Sequence, residues 1–557
     1  MPANRRRSQP PSRSESKPAR SSLPLVVGIV VALVAGALYL PTLRADFVFD
    51  DVAQLVIDDY VHRPAHFADV LTLRVLGDDV LDRNRPLMLL SLLVDSAAWG
   101  RWPGGYHLTN VLLHAGCAAL VFALFLQLRF CATGIPSAAG ARDVSGTDDV
   151  PPHQLAGAAF AALLFAVHPV ASEAAAAITY REDLLATFFL LLGLLLALRH
   201  AAAAGVARVA LVAGSALSFV LAVTAKETGA AGPPLLALVW WRCGRAADRR
   251  SWAALLAVVW TAVVAFLLAI FVLGPKQSVI LSTPEPIASL WEWPSIAARI
   301  VVFYVEKIVW PVDLSADYEG MALGGAGTLR IVTALALLFG PPALLAVKVK
   351  DAVAWIGVAL FWLALLPVSN LVPIYNPVAD RYLYTPMAGL ALVAGSVAAL
   401  PIWWRSRARA IIVAGLAVLL LAVLARLTLE RERVWHDSRS LWSDTLAKNP
   451  SSIFAANGLA LALHDAHQPA AAIALWQRAI TTSRQLDVVF APSWAGLALS
   501  LESAGRPGEA DQAYRVAIQL DERYRDPNSL VRALTWRADI ATELAVIARR
   551  CCAGDTR

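Results

Sequence analysis

Leu-Pro-Leu-Val-Val-Gly-Ile-Val-Val-Ala-Leu-Val-Ala-Gly-Ala-Leu-Tyr-Leu-Pro-Thr, residues 23–42, decides the fold class. The run holds no charge and, as a helix, is long enough to cross a hydrocarbon core ~30 Å thick. It exceeds a signal-peptide core and no clear cleavage site follows it, so it reads as an uncleaved first span. The preceding residues 1–22, rich in Arg, Ser and Pro, read as a disordered tail. Arg5, Arg6, Arg7, Arg13, Lys17 and Arg20 predict that this tail lies in the cytoplasm.

Similar runs recur near 106–129, 154–169, 183–199, 206–223, 229–242, 251–273, 328–347, 352–368, 386–403 and 408–428, eleven spans with the first. The expected architecture is an all-α polytopic membrane protein. Bulk numbers agree: of 557 residues 58% are hydrophobic and only 16% charged, against about 25% charged in soluble proteins. Such a chain is neither a soluble enzyme nor disordered over most of its length. Net charge is +6, but Lys and Arg gather in loops, which topology explains better than nucleic-acid binding. The five cysteines form no disulfide framework and have no zinc-site spacing.

With the N-terminus inside, the basic loops after even-numbered spans fall in the cytoplasm. They hold Arg199 and Arg208; Arg242, Arg245, Arg249 and Arg250; Lys348 and Lys350; and Arg405, Arg407 and Arg409. Residues 297–319 are read as a helix packed at the outer face or re-entrant, because one more span would place two basic loops outside. The C-terminus is then outside, and the membrane is a plasma or bacterial inner membrane.

After about residue 430 the chain becomes charged, Ala-rich and repetitive. Ala-Asn-Gly-Leu-Ala at 456–460 matches Trp-Ala-Gly-Leu-Ala at 494–498, and the same offset of 38 pairs Trp476 with Tyr514, Ala479 with Ala517 and Ile480 with Ile518. Small-residue helices followed by aromatic–Ala helices are tetratricopeptide logic, whose period is 34 residues. About four extra residues are expected near 481–490. The domains are therefore a tail at 1–22, a membrane domain at 23–429 with an outer loop at 43–105, and a repeat domain at 430–557.

Most of the other charges beside spans fall on the outer side. Asp50 and Asp51 follow span one. His168 and Glu173 lie in His-Pro-Val-Ala-Ser-Glu, followed by Tyr180, Arg181, Glu182 and Asp183. Lys226 and Glu227 lie between spans five and six; Glu306, Lys307, Asp317, Tyr318 and Glu319 belong to the outer helix; Asp380, Arg381 and Tyr382 lie between spans nine and ten. Ionisable residues at a membrane boundary are costly unless paired or hydrated, so five clusters on one side point to one polar cavity. Carboxylates near Asp50 can deprotonate an acceptor hydroxyl or hold a divalent metal such as Mg or Mn. Arg181, Lys226 and Arg381 can neutralise a phosphate. His168 can act as acid, base or donor, or simply cap the turn before Pro169. Carboxylate base plus phosphate clamp suits a lipid-phosphate substrate handled at the outer surface.

Phe-Val-Phe-Asp-Asp at 47–51, Arg-Pro-Leu at 85–87 and Tyr-His-Leu-Thr-Asn-Val-Leu-Leu-His at 106–114 resemble segments of the transmembrane and tetratricopeptide-repeat-containing O-mannosyltransferases. His-Pro-Val-Ala-Ser-Glu, Tyr-Arg-Glu-Asp-Leu-Leu-Ala at 180–186, Lys226-Glu227 and Asp-Arg-Tyr-Leu-Tyr-Thr-Pro at 380–386 continue the likeness in order. The resemblance implies a GT-C glycosyltransferase that inverts the anomeric carbon of a polyprenyl-phosphate-linked sugar. It implies Asp50 as general base, Asp51 as base partner or metal ligand, and Arg381, Lys226 and Arg181 at the donor phosphate. His168, Glu173, Asp183, Glu227 and Tyr382 would shape the cavity, and the repeats would bind a protein acceptor or partner. Two alternatives from other classes are a lipid or lipid-linked-sugar transporter, expected to show an inverted repeat, and a membrane-anchored tetratricopeptide scaffold, which needs only one span.

Overall fold

The computed structural model describes residues 22–78, 80–133, 150–201, 203–244, 249–273, 293–318, 328–349, 351–369, 376–532 and 536–552. Among them are helices and turns and no strand. The membrane half contains α1 (Leu23–Leu38), α2 (Pro86–Trp99), α3 (Pro103–Thr133), α4 (Pro152–Val167), α5 (Arg181–His200), α6 (Gly205–Ala225), α7 (Gly232–Cys243), α8 (Arg249–Leu273), α9 (Trp293–Val309), α10 (Thr328–Val349), α11 (Ala352–Leu365), α12 (Tyr384–Ala398) and α13 (Arg407–Val434).

Every expected span falls on a helix, but not every one crosses at full length. Among the described residues six segments are long and apolar enough to cross a membrane: Leu23–Arg44, Pro103–Phe130, Arg181–His200, Gly205–Ala225, Arg249–Leu273 and Arg407–Val434. These make the chain a multi-pass membrane protein. A seventh is the pair Pro152–Val167 and Pro169–Ala176, bent by 53° at Pro169. Others are shorter; α7 has 12 residues and α12 has 15, or ~18–23 Å at 1.5 Å per residue. They stop short because their polar neighbours, Glu227–Ala231 and Asp380–Leu383, form 3-10 turns. The stretch expected at 297–319 is the helix α9, and the chain beyond it leaves regular structure at Trp310.

Chain alternation brings all the motifs to one end of the bundle. α1 runs toward Asp50, α4 toward His168 and α6 toward Lys226, while α5 and α12 start at that end and run away from it. Arg199, Arg242 and Arg405 lie at the opposite end. There Arg129 pairs with buried Asp351 at 2.7 Å, and Asp351 caps α11 by accepting Val353 N–H at 2.8 Å.

Packing inside the bundle uses small residues, as expected where lipid gives no hydrophobic drive between helices. α12 is clamped on two sides. A Cβ on Gly389 would lie 2.4 Å from the Gly357 carbonyl oxygen of α11, and one on Gly395 would lie 2.6 Å from the Gly157 oxygen of α4. Only glycine permits backbones this close.

The repeats comprise α14 (Ser438–Lys448), α15 (Ile453–Asp465), α16 (Pro469–Gln485), α17 (Ala491–Ser503), α18 (Pro507–Leu520) and α19 (Ala538–Cys552). Gly458 of α15 lies beneath Trp442 of α14, where a Cβ would sit 2.4 Å from the indole nitrogen, and Gly496 lies beneath Trp476 in the same way. Trp442 and Trp476 are 34 positions apart, the ordinary repeat. The four extra residues lengthen the end of α16 and the link 486–490. α13 runs unbroken through residue 430 to Val434, so membrane and repeat halves share one helix.

Candidate active site

The first outer loop approaches its partners through a strained turn. Phe49 adopts φ +56, a left-handed conformation unfavourable for a bulky residue. Its ring packs edge-on against Tyr180, Trp435 and Trp442 at centroid distances of 6.1, 6.5 and 5.1 Å. That packing fixes the direction of the two carboxylates that follow.

The carboxylates then diverge. Asp51 is 0% exposed, and its two oxygens accept the Ile178 and Thr179 backbone N–H groups at 3.1 and 2.7 Å. Burial pushes its carboxyl up to about 6, with those amides opposing the shift. Asp50 is exposed, and its Oδ2 accepts the Tyr180 hydroxyl at 2.8 Å. Asp50 is thus the reachable carboxylate, and Asp51 pins the turn that presents Tyr180.

From Tyr180 a continuous polar chain crosses the site. The Arg381 guanidinium stacks over the Tyr180 ring at 4.0 Å and faces the Tyr382 ring at 5.1 Å. Glu173 accepts from the Arg381 guanidinium and, at 3.0 Å, from its backbone N–H. The Lys226 ammonium also lies near Tyr382, 5.4 Å from the ring. Lys226 is nearly buried and pairs with Asp183 at 2.6 Å and Glu182 at 3.0 Å. Burial alone would pull its ammonium down, but Asp183 and Glu182 outweigh it and hold it above its usual range. Arg85 closes the chain, pairing with Glu182 at 2.5 Å, Asp82 at 2.6 Å and Glu227 at 3.7 Å. Beside this line, burial and the Glu173 charge push the Asp380 carboxyl up; it accepts the Tyr318 hydroxyl at 2.7 Å.

The structure therefore gathers Asp50, Glu173, Asp183, Lys226, Glu227, Arg381 and Tyr382 into one network, and separates three expected members. Asp51 has no free oxygen edge. Arg181, expected at the donor phosphate, is 0% exposed. It is saturated by Asp95 at 2.6 Å, Asn110 at 2.7 Å and the Tyr106 carbonyl at 2.8 Å, so it braces the bundle under the site. His168 accepts Val170 N–H at 3.4 Å and has its other ring nitrogen 3.0 Å from the Ile308 carbonyl. It caps the turn before Pro169 and ties that turn to α9. Of the outer-helix cluster, Lys307 donates to the carbonyls of Val312 and Asp313, and Asp317 accepts from Ser452 of the repeat half. Glu319 lies outside the described residues.

Sequence reasoning quoted Arg85 within Arg-Pro-Leu but gave it no role, and passed over Asp82 and Asn84, whose amide donates to Glu227 at 3.2 Å. The available signal was their place, a polar Asp-Arg-Asn-Arg run directly before a proline-started apolar helix. The metal expectation does not fit the residues present. Among the described residues no three His, Cys, Asp or Glu side chains form a metal-holding group. Asp51 spends both oxygens on backbone amides, and Asp50 accepts a phenol.

Comparison with known proteins adds the family context. The sequence is 34% identical over 172 residues to a protein O-mannosyl-transferase, Tmtc1, of Drosophila melanogaster, covering 30% of this chain and 17% of that one. Its curated relatives are protein O-mannosyl-transferases. The human TMTC2 enzyme is 30% identical over 190 residues, covering 32% and 20% of the two chains. A Caenorhabditis elegans member, F38B6.6, is 23% identical over 431 residues, covering 74% and 56%. The first two matches take in about a fifth of those relatives' own length. No family model matches the sequence. Among solved structures, ArnT from Cupriavidus metallidurans bound to undecaprenyl phosphate aligns with a TM-score of 0.40 at 13% identity, over 95% of this chain and 89% of that one.

Proposed function

We propose that the chain is an inverting membrane glycosyltransferase of GT-C type. It transfers a sugar, with mannose the reading its relatives favour, from a polyprenyl-phosphate-linked donor to an acceptor hydroxyl at the motif end of the bundle. That end is the extracytoplasmic side in this reading, as the basic residues at the opposite end require. The observation that supports it most is the line Asp50–Tyr180–Arg381, an exposed carboxylate one phenol away from a guanidinium held at a membrane boundary.

Asp50 takes the acceptor proton as the anomeric carbon is attacked, and Tyr180 holds the carboxylate toward the acceptor. Arg381, with Lys226 behind Tyr382, stabilises the charge that develops on the departing lipid phosphate. Glu173 keeps Arg381 in place through its side chain and backbone alike, and Arg85 balances the carboxylates around Lys226. No step needs a metal.

Purified protein incubated with radiolabelled polyprenyl-phosphate sugars should release lipid phosphate in an acceptor-dependent way with one of them. Absence of turnover with every donor would overturn the assignment.

A further inference from the structure

The cavity beside the network, about 730 Å³ in volume, lies between the first outer loop and the repeats. Residues 46–57 form one wall; α14, α15 and the starts of α17 and α19 form the other. Resting on the transferase reading above, we propose that this groove binds the acceptor as an extended polypeptide segment. It selects segments with a large apolar or aromatic side chain a few residues from the hydroxyl.

Three observations lead there. The first is continuity with the site. Phe49 lines the groove, and its ring meets Tyr180, the residue that donates to Asp50. A chain lying in the groove therefore delivers its next residues to the exposed carboxylate. The second is the lining. Phe49, Trp442, Phe454, Phe490 and Trp536 give aromatic surface, and Phe454 and Phe490 meet edge-on at 5.5 Å. Phe49, Phe454 and Phe490 are half-buried over the buried Trp442 and Trp536, and partly open aromatic rings serve as anchoring pockets for side chains. At the far end Arg537 forms a forked pair with Asp465 at 2.6 and 2.9 Å, while Asp437 and exposed Arg439 lie at the near end. Apolar middle and charged ends match a short amphipathic peptide. The third is place and size. The groove lies past the ends of α1 and α13, walled by repeat helices, so a lipid tail in it would have left the bilayer. A volume within the ~300–1,000 Å³ of small-ligand sites admits a few residues rather than a folded domain.

The loop and the repeats are packed together rather than merely near. Val48, Ala177 and Tyr180 share an apolar cluster with Trp435, Leu441, Trp442 and Ala455, and Asp46 N–H donates to the His436 carbonyl at 2.9 Å. The groove is thus a preformed feature.

The test uses the full chain in nanodiscs and fluorescent eleven-residue peptides bearing one Ser, with Trp or with Asp placed three residues away. Binding is read by fluorescence polarisation without donor, so it does not depend on turnover. The Trp peptide should bind better than the Asp peptide. Phe454→Ala/Phe490→Ala should weaken it by roughly tenfold or more, and Arg506→Ala, exposed elsewhere on the repeats, should not. Ala462→Trp fills the groove without removing a ring and should block binding, which covers the case of a double variant that fails to fold. Unchanged affinity in folded Ala462→Trp, or competition only by mannose oligosaccharides or lipids, overturns the proposal. Peptide binding with no transfer from any donor refutes the enzyme reading and leaves the groove standing. Transfer to peptides that ignores both variants does the reverse.

Discussion

Asp50 and Asp51 are chain neighbours with opposite expected phenotypes. Asp50→Asn retains an oxygen for the Tyr180 hydroxyl at an exposed position, so it removes the base and little else. A positioned general base is worth ~10²–10⁴-fold in rate, or about 3–5 kcal/mol of barrier. Asp51→Asn instead turns an amide NH₂ toward one of two backbone donors in a fully buried site. Losing that hydrogen bond and opposing two donors costs about 1–3 kcal/mol of stability. A pH signature separates the two further. Burial raises the Asp51 carboxyl from 3.8 to about 6, so the folded state holds that proton more tightly than the unfolded chain. The associated stability is full below pH ~4 and is lost as pH rises through about 6. In free energy, that difference in proton affinity amounts to about 3 kcal/mol. Asp51→Asn abolishes this slope, so its deficit relative to the native chain is largest at pH ~4 and smallest near neutrality. Sugar-transfer rates at neutral pH and thermal midpoints in detergent between pH 4 and 8 read both effects. Normal turnover by Asp50→Asn, or a midpoint that falls as far as in Asp51→Asn, would refute the division of labour. So would an unaltered pH slope in Asp51→Asn.

Three further outcomes follow from the packing. Arg381→Ala should weaken donor binding far more than Lys348→Ala, exposed at the opposite end; donor titration by tryptophan quenching compares them, and equal effects would contradict the placement. Arg85→Ala leaves Glu182, Asp82 and Glu227 without their shared cation. The expected result is a lower thermal midpoint that recovers in part at acidic pH, as Asp82, whose carboxyl burial pushes up to about 6, takes up a proton. Gly389→Ala forces α11 and α12 apart at a 2.4 Å contact and should cost about 1–3 kcal/mol, seen as an earlier melt; an unshifted melt would mean the helices are not held there.

The apolar helices were legible because uninterrupted apolar runs are a one-dimensional signal, though among the described residues only six or seven of the eleven expected spans are long enough to cross. So were the repeats, through Gly458 and Gly496 at matched positions. The side of the molecule on which each motif lies followed from counting spans. What each charge does there was not legible. Arg181 and Arg381 look alike in sequence, yet one finds Asp95, Asn110 and a carbonyl closing around it, while the other stacks on the phenol that donates to Asp50. Partners 71 to 208 positions away decide that difference. Asp50 and Asp51 are separated by the turn at Phe49, a backbone conformation that no residue type at 49 announces. His168 was read both as a chemical group and as a cap, and the Val170 amide makes it a cap.

The shared helix α13 and the seating of α14 on the Phe49 loop give the repeat half a fixed stance over Asp50. A recognition surface on a slack tether would sample many positions and mark any hydroxyl within reach. One bolted to the reaction centre behaves as a ruler. The number of residues between an anchored aromatic side chain and the glycosylated one should then be nearly constant from substrate to substrate. That spacing, written in the acceptors, would be an imprint of this architecture.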